Sequence, residues 1–202
     1  MIKKLADLWA VNDPLPDTEV DLVVGVAHGC TKDRLTHGAS SVSRLLDISL
    51  ALEHLRNSKV IYGAFAGSPN PEVERSWKGR VLPDSSIFIG NVLSTTEECR
   101  RTKEYTGSWT PKIIVVITDQ AHSRRCKLIW QTFFTESKIH IFSVPIREVV
   151  DTESPMKSYH SMGSILWHQA WPIIIQWPVA KIFGVWGLIK LEGFHQPTVK
   201  HV

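Results

Sequence analysis

Short runs of apolar and β-branched residues alternate with helical stretches through most of this chain, and no other feature constrains its fold as strongly. The runs span 20–27, 59–65, 86–90, 112–118 and 138–145. Apolar residues lie on both faces of these runs, as they do in strands of a sheet that helices cover on both sides. The alternation therefore predicts an α/β fold with a mainly parallel sheet between two layers of helices.

Helix signals fill the intervals between the predicted strands. Apolar residues spaced by three and four predict a helix over 40–57, and a short helix follows the second strand. After the third strand, Ser94 and Glu97 form a capping box, which satisfies two backbone N–H groups at the start of a helix. Asp119 offers an N-cap to a helix over about 120–135.

Patterning divides the chain into three parts. They are an N-terminal helix and connection over 1–19, the α/β domain over 20–150, and a tryptophan-rich helical extension over 151–202. Hydrophobic residues make up 43% of the 202 residues and charged residues 21%. That balance is enough for a packed core and excludes a globally disordered chain.

Charged residues and cysteines predict a cytoplasmic protein. Asp7, Asp13 and Asp17 interrupt the apolar run that a signal peptide or an N-terminal anchor requires. The three cysteines form no C-x-x-C pair, which argues against a zinc ribbon or a disulfide framework and favours a reducing compartment. The net charge of +3, with no basic tail and no interleaved aromatics in the basic runs, argues against nucleic acid as a partner.

The stretch 165–189 contains four of the eight tryptophans and a single formal charge, Lys181. It is long enough to span a bilayer, but Pro172 and Pro178 would each break a helix, and Lys181 would lie inside the span. We therefore expect short helices that pack on the domain or on a second copy of the chain in a homo-oligomer. The alternative is a peripheral contact with the inner membrane, with tryptophans at headgroup depth.

Polar groups follow the predicted strands at one edge of the sheet. The segments that leave this edge are 25–29, 63–67, 90–97 and 118–125. In an open α/β sheet, ligands bind beyond the carboxyl ends of the strands, where the strand order reverses. Glycines in these segments permit close approach of a ligand, and helix N-termini offer unpaired N–H groups to an anion. We expect an anionic small molecule at this edge.

Several well-known site motifs are absent from the sequence. The segment 25–30 reads G-V-A-H-G-C rather than G-x-G-x-x-G, and no acidic residue ends the second strand, which argues against a nicotinamide cofactor. The chain lacks G-x-x-x-x-G-K-[ST], which excludes a P-loop NTPase, and lacks G-x-S-x-G, which argues against an α/β-hydrolase triad. No cluster of metal-ligating residues is visible, so the sequence predicts no metal site and requires no cofactor.

Four motifs follow one another along the α/β domain. The first is an apolar strand that ends in glycines and is followed by Arg44-Leu45 in the next helix, and the second is Tyr62-Gly63-Ala64 followed by Glu72 or Glu74. The third is Ser94-Thr95-Thr96-Glu97. The fourth is Thr118 together with the His-x-x-Arg-small signature formed by His122, Arg125 and Cys126. In order and spacing these motifs resemble those of the YdcF/SanA-like bacterial domain, a family of unknown function. The last two motifs are the specific part of the resemblance, which covers about residues 20–145.

The resemblance implies a Rossmann-like, doubly wound fold. It also implies an adenosine-containing ligand, with S-adenosylmethionine the one reported type, and a link to the cell envelope through other members of the family. It does not imply an enzyme activity, because fold alone does not determine function.

The strand ends and the resemblance together select the candidate ligand-binding residues. They are Gly25, His28, Gly29, Arg44, Gly63, Ser94, Thr95, Glu97, Thr118, His122 and Arg125. His122 is the candidate catalytic residue, because an imidazole in the first turn of a helix beside the crevice can bond a ligand or move a proton near neutral pH. Arg125 can hold a phosphate or carboxylate, or it can pair with Asp119 or Glu97.

Two functions are compatible with this set of residues. The first is a small-molecule-binding protein that takes an anionic or nucleotide-like ligand at the carboxyl ends of the strands. The alternative is a transferase or phosphate-ester hydrolase that uses His122 and Arg125, which together can stabilise a phosphoryl group. His28 could then join His122 across the crevice as an acid–base pair.

Overall fold

Residues 2–154 and 156–176 are described by a computed structural model, and the structural statements below concern those residues. Five strands alternate with helices along this part of the chain. The strands are β1 Leu22–Gly25, β2 Lys59–Phe65, β3 Ile87–Val92, β4 Ile113–Asp119 and β5 Lys138–Val144. The helices are α1 Ile2–Trp9, α2 His37–Leu50, α3 Pro71–Val81, α4 Thr95–Thr106, α5 Gln120–Phe133 and α6 Met162–Trp171.

All five strands are parallel and lie in the order β3-β2-β1-β4-β5. The chain builds the sheet outward from β1 to β3, then crosses back and continues from β4 to β5. The strand order therefore reverses between β1 and β4, which is where an open α/β sheet binds its ligands. This topology confirms the predicted α/β, Rossmann-like, doubly wound sheet with a C-terminal helix.

The core lies in two layers, one on each face of the sheet. On one face Val23 and Val115 pack with Leu46 of α2, and on the other Val24 packs with Trp130 of α5. Successive residues of a strand point to opposite faces and therefore enter different layers. The side chains of both layers are buried. Helices on both faces explain why the strands read as continuous apolar runs.

Most element boundaries lie close to their predicted positions, but the helix predicted over 40–57 is wrong at both ends. The helix α2 begins earlier because the Thr36 side chain accepts a hydrogen bond from the N–H of Ala39, at 3.2 Å, and acts as its N-cap. It ends at Leu50 because Leu52 has an extended backbone. A separate 3-10 turn, Glu53–Leu55, completes the connection to β2.

The N-terminal connection covers the open edge of β5. The N–H of Asp13 donates to the carbonyl of Ile141 at 2.8 Å, and an Asp13 carboxylate oxygen accepts the Ile141 N–H at 2.9 Å. The Asn12 side chain accepts the Ser143 N–H at 2.9 Å. These bonds satisfy strand groups that would otherwise be open to pairing with another chain.

The helix α6 contributes the buried Ile165 to the core layer that contains Val115. A helical turn over Pro172–Gln176 follows it. The remainder of the tryptophan-rich stretch, 177–189, lies outside the described residues, and so does the end of the extension. Within the described ranges, no helix has the length and apolar character needed to cross a membrane.

Candidate functional site

Polar side chains from three segments meet at the reversal of strand order between β1 and β4. His28 lies in the loop after β1, Thr95 begins α4, and Asp119 ends β4. His122 and Arg125 follow in the first two turns of α5. These five residues are called the polar centre below. They come from strand ends and helix starts because a parallel sheet delivers both to the same edge.

Asp119 holds the polar centre together. One of its carboxylate oxygens lies 2.8 Å from His28 Nε2, and the other accepts the backbone N–H of His122 at 2.9 Å. The second bond makes Asp119 the N-cap of α5, as the sequence predicts. The Asp119 side chain is fully buried, and only 1% of the His28 side chain is exposed.

The ring of His122 is held between two hydroxyl groups. Its Nε2 lies 2.9 Å from the Thr95 hydroxyl oxygen, and its Nδ1 lies 3.5 Å from that of Thr118. The ring centres of His28 and His122 are 6.0 Å apart. Burial, together with the nearby charge of Arg125, lowers the pKa of His122 well below its ordinary value. His122 is therefore neutral near pH 7.

The contact between His28 and Asp119 shifts the pKa values of both groups. Burial alone lowers the pKa of His28, but the hydrogen bond and the charge of Asp119 outweigh it and raise that pKa above its ordinary value. Burial alone raises the pKa of Asp119, but the hydrogen bond to His28 reverses the effect and lowers it. The two histidines of the centre therefore have pKa values shifted in opposite directions.

Arg125 is the one member of the polar centre whose charge is not paired with a carboxylate among the described residues. It makes one long hydrogen bond, from Nη2 to the Thr95 hydroxyl at 3.5 Å. Its Nε is buried and has no partner in the described ranges. Burial lowers the pKa of its guanidinium, yet an arginine side chain stays charged. The centre thus contains a cation with unused donors.

A buried ion pair supports the loop that carries His28. Glu74 accepts backbone N–H groups from His28 and Gly29, each at 3.0 Å, and from Phe65 at 2.9 Å. Lys78 Nζ lies 2.8 Å from Glu74 and donates to two backbone carbonyl oxygens. Neither side chain is exposed. The helix α3 therefore fixes the backbone of β1's loop through one carboxylate and one ammonium group.

Glu98 lies on the other side of the same loop. Its Oε1 accepts the N–H of Ala27 at 3.0 Å. Burial raises the pKa of Glu98 to about 7, and the charge of Lys78 offsets only part of that rise. The loop after β1 is thus held by carboxylates from two helices, and one of them titrates near neutral pH.

The segment after β5 covers the polar centre. Tyr159 is buried with its ring centre 6.5 Å from that of His28, edge to face. On α6, Gln169 is also buried. Burial and the charge of Arg125 lower the pKa of His168. Apart from the half-buried Arg125, the members of the polar centre are buried in this conformation.

A separate groove of about 830 Å³ lies between α2, α3 and the turn at 151–153. Trp77 and Leu35 form part of its wall, and Arg34 crosses it to bond Asp151 at 3.2 Å. None of the polar-centre residues lines it.

The structure brings together part of the predicted site. His28, Thr95, Thr118, His122 and Arg125 converge as described. The three predicted glycines lie against other side chains: an added Cβ would lie 2.6 Å from Leu46 at Gly25, 2.8 Å from Ser68 at Gly29 and 3.3 Å from Val92 at Gly63. Gly29 also has a φ of 89°, which favours glycine.

Three predicted residues do not contact the polar centre. Arg44 is 67% exposed and pairs with Glu148 at 3.1 Å on the outer face of α2. Ser94 accepts the N–H of Glu97 at 3.1 Å, and Glu97 accepts the N–H of Leu93 and bonds Arg101. Capping and an ion pair therefore account for the contacts of Ser94 and Glu97.

Sequence reasoning missed four residues that build this region. Asp119 is predicted as a helix cap and as one alternative partner of Arg125 but not as the partner of His28, and Lys78, Glu98 and Tyr159 are not predicted at all. The strand-end position of Asp119 was the one available signal. No metal cluster is visible in the sequence either, yet His28, Asp119 and His122 bring one ligating atom each to within 4.8 Å of one another. Their spacing of 91 and 3 residues along the chain forms no recognisable motif.

The fold and the centre define an α/β protein with a buried polar site at the strand-order reversal. Comparison of the chain with protein-family models, with curated proteins and with solved structures found no match to any of them.

Proposed function

We propose that this protein binds an anionic small molecule, nucleotide-like in character, at the carboxyl ends of β1 and β4. The observation that supports this most directly is Arg125, a half-buried cation with no carboxylate partner among the described residues and with a buried, unused Nε donor. Buried polar groups in folded proteins are nearly always satisfied, so a missing partner at a ligand-binding position indicates a ligand. A guanidinium is well suited to a phosphate or carboxylate, which it binds in a bidentate manner.

The resemblance to the YdcF/SanA-like family narrows the proposed ligand to an adenosine-containing one, with S-adenosylmethionine as the first candidate. Four residues of its specific motifs, Thr95, Thr118, His122 and Arg125, lie in or beside the polar centre. Membership of that family, a cytoplasmic location and a role in cell-envelope metabolism belong to the same proposal.

Calorimetric titration with S-adenosylmethionine, adenosine monophosphate and inorganic phosphate tests the binding proposal. Arg125→Gln should weaken binding by about 10-fold or more, because a hydrogen bond to a charged group contributes about 1.5–3 kcal/mol. Arg44→Gln is the matched control and should bind like the native protein, since Arg44 lies on the outer face of α2. No response to any of these ligands, or equal affinity in the two variants, would contradict the proposal.

The second candidate function is a transferase or phosphate-ester hydrolase, and the juxtaposition of two differently bonded histidines favours it. His28 is hydrogen-bonded to Asp119, while His122 lies between two hydroxyl groups. The ring centres of the two histidines are 6.0 Å apart. In hydrolysis, His122 would accept a proton from water as it attacks phosphorus, and Arg125 would stabilise the phosphoryl oxygens. The ester P–O bond breaks, and the leaving oxygen takes a proton from His28.

Assay of phosphate release from a panel of phosphomonoesters tests this second function. His122→Ala should lower turnover by a factor of about 100 or more, which is the usual contribution of a general base. His160→Ala, an exposed histidine, is the control. If His122→Ala leaves every detected turnover unchanged, the catalytic role is wrong, while binding through Arg125 is judged separately by calorimetry.

A further inference from the structure

Two imidazoles and one carboxylate converge at the end of β4. His28, Asp119 and His122 are all buried, and each places one ligating atom within 4.8 Å of those of the other two. They come from different elements, the loop after β1, the end of β4 and the first turn of α5. Buried polar side chains of three different segments rarely meet in this way unless they bind something or one another.

The three donors match the requirements of a transition-metal ion. Zinc binds imidazole nitrogen at about 2.0–2.1 Å and carboxylate oxygen at about 2.0–2.2 Å, so ligand atoms of a tetrahedral site lie about 3.4 Å apart. His28 Nε2 and Asp119 lie 2.8 Å apart in a hydrogen bond, and the three ligating atoms lie within 4.8 Å of one another. An ion that binds between them replaces the proton of that hydrogen bond, as metal ions do when they bind protein ligands. Imidazole donors favour zinc, copper, nickel or iron over magnesium and calcium, which prefer oxygen alone.

The surroundings hold these donors in place. One oxygen of Asp119 accepts the N–H of His122. The hydroxyl groups of Thr95 and Thr118 contact the two ring nitrogens of His122, and the nitrogen that binds an ion exchanges its hydroxyl for that ion. The backbone N–H of His28 is held by Glu74 at 3.0 Å. Outer partners that orient ligand side chains in this way are the usual accompaniment of a metal site.

We propose that His28, Asp119 and His122 form a binding site for one divalent transition-metal ion, with zinc as the reference ion. Three protein ligands leave one position of a tetrahedral zinc ion open, as in catalytic rather than structural sites. Metal binding by these residues does not depend on the ligand proposed above. If that ligand also binds, its anionic group can occupy the open position while Arg125 holds its other oxygens, and this last step rests on the proposed function.

Titration of metal-stripped protein with Zn²⁺, with bound metal counted by mass spectrometry, tests the site. The native chain should bind one equivalent, and Mg²⁺ in excess should not displace it. Asp119→Asn and His122→Gln should each weaken zinc binding by about 10-fold or more. Asparagine keeps the helix cap, so the first variant separates metal binding from folding.

His140→Gln is the matched control, because His140 is another buried histidine, 8% exposed on β5, and is not part of the cluster. It should bind zinc like the native chain. Cobalt provides a second readout, since Co²⁺ in the native site should give a visible absorption band that His122→Gln loses.

Failure to retain one equivalent of zinc, or equal zinc affinity in His122→Gln and His140→Gln, would overturn the metal site. Arg125→Gln distinguishes this failure from that of the proposed function. It should keep zinc and lose the anion, because Arg125 is not one of the three metal-ligating residues.

Discussion

Glu74, Glu98 and Asp119 are buried carboxylates at the carboxyl edge of the sheet, and each has a different set of partners. Glu74 faces Lys78 and three backbone N–H groups, and Asp119 faces His28 and the N–H of His122. Glu98 accepts one backbone N–H and has no ion pair among the described residues. Burial removes hydration from all three, so the partners decide the charge. The pKa values of Glu74 and Asp119 are lowered, and that of Glu98 is raised to about 7.

Glu98→Gln should change how stability depends on pH. The pKa of Glu98 is about 7 in the folded protein and about 4.5 in the unfolded chain. Between about pH 4.5 and 7, Glu98 is therefore protonated in the folded protein and ionised in the unfolded chain. Its contribution to the free energy of unfolding is therefore present below about pH 4.5 and lost as pH rises to about 7. The loss is about 3 kcal/mol, because one pKa unit corresponds to about 1.4 kcal/mol.

Urea titrations of the native protein and Glu98→Gln at several values between pH 4.5 and 8 measure this effect. The native protein should lose stability relative to the variant as pH rises, since glutamine stays neutral throughout. The difference between the two proteins removes the contributions of all other titrating groups, because both proteins contain them. Two parallel curves would show that Glu98 does not take up a proton on folding.

Lys78→Met should destabilise the protein by about 3–5 kcal/mol. It leaves Glu74 charged in the core without its cationic partner, and breaking a buried ion pair has a cost of that size. Arg75→Met on the same helix is the control, because Arg75 is 52% exposed and pairs with the exposed Glu72. It should cost less than about 1 kcal/mol in thermal or urea unfolding. Similar losses in the two variants would contradict the role given to the buried pair.

At the scale of elements, boundaries set by local chemistry were predictable from the sequence. β2 matches the predicted 59–65, and α4 begins after Ser94 as its capping box predicts. The start of α2 was missed because Thr36 caps it ahead of the apolar pattern. Local propensity and capping depend on adjacent residues, so one sequence is enough to recognise them.

The candidate site was less predictable, because tertiary packing decides which face of a helix meets the loop after β1. The buried side of α4 is largely polar, and its residues are Thr95, Glu98, Cys99, Thr102 and Thr106. Apolar periodicity therefore could not show that Glu98, rather than the neighbouring Glu97, faces the site. Asp119 was visible as a helix cap, but its contact with His28 joins residues 91 positions apart.

Ser94→Ala should destabilise the protein by about 1 kcal/mol, since it removes the side chain that caps α4. Ser94→Asn should restore the loss, because asparagine caps helices as well as serine does. Chemical unfolding of the three proteins measures the difference. An alanine variant as stable as the native protein would mean that the Glu97 side chain, which bonds the N–H of Leu93, is sufficient to hold this helix start.

At the scale of the whole molecule, the segments before β1 and after β5 both pack around the second half of the sheet. The indole N–H of Trp9 in α1 donates to the carbonyl of Ala121 at 2.8 Å, and Arg124 donates to the carbonyl of Trp9 at 2.9 Å. Tyr159 and α6 cover the polar centre. The N-terminal and C-terminal segments are thus attached to α5, the helix that carries His122.

The outer face of α6 presents Trp167 and Trp171, which are 64% and 46% exposed with ring centres 5.6 Å apart. Ile174 beyond them is 56% exposed. Apolar surface of this kind favours association, and we propose that the extension packs on this chain or on a second copy rather than crossing a membrane. A peripheral contact with the inner membrane is the alternative.

Cell fractionation followed by a high-salt wash and a carbonate wash distinguishes these arrangements. We expect the protein in the soluble fraction, because prolines at 172 and 178 and the charge of Lys181 oppose an uninterrupted span. Release from membranes by high salt or carbonate would indicate the peripheral contact. Protein that resists carbonate extraction would contradict our interpretation of the extension.

Asp119 is both the last residue of β4 and the cap of α5, so the site and a helix start share one carboxylate. One oxygen holds His28, and the other holds the amide of His122. An ion or ligand that draws this carboxylate toward itself therefore weakens the first turn of α5. The rate at which deuterium from solvent replaces the amide hydrogen of His122 becomes a gauge of occupancy, readable by magnetic resonance before any ligand has been identified.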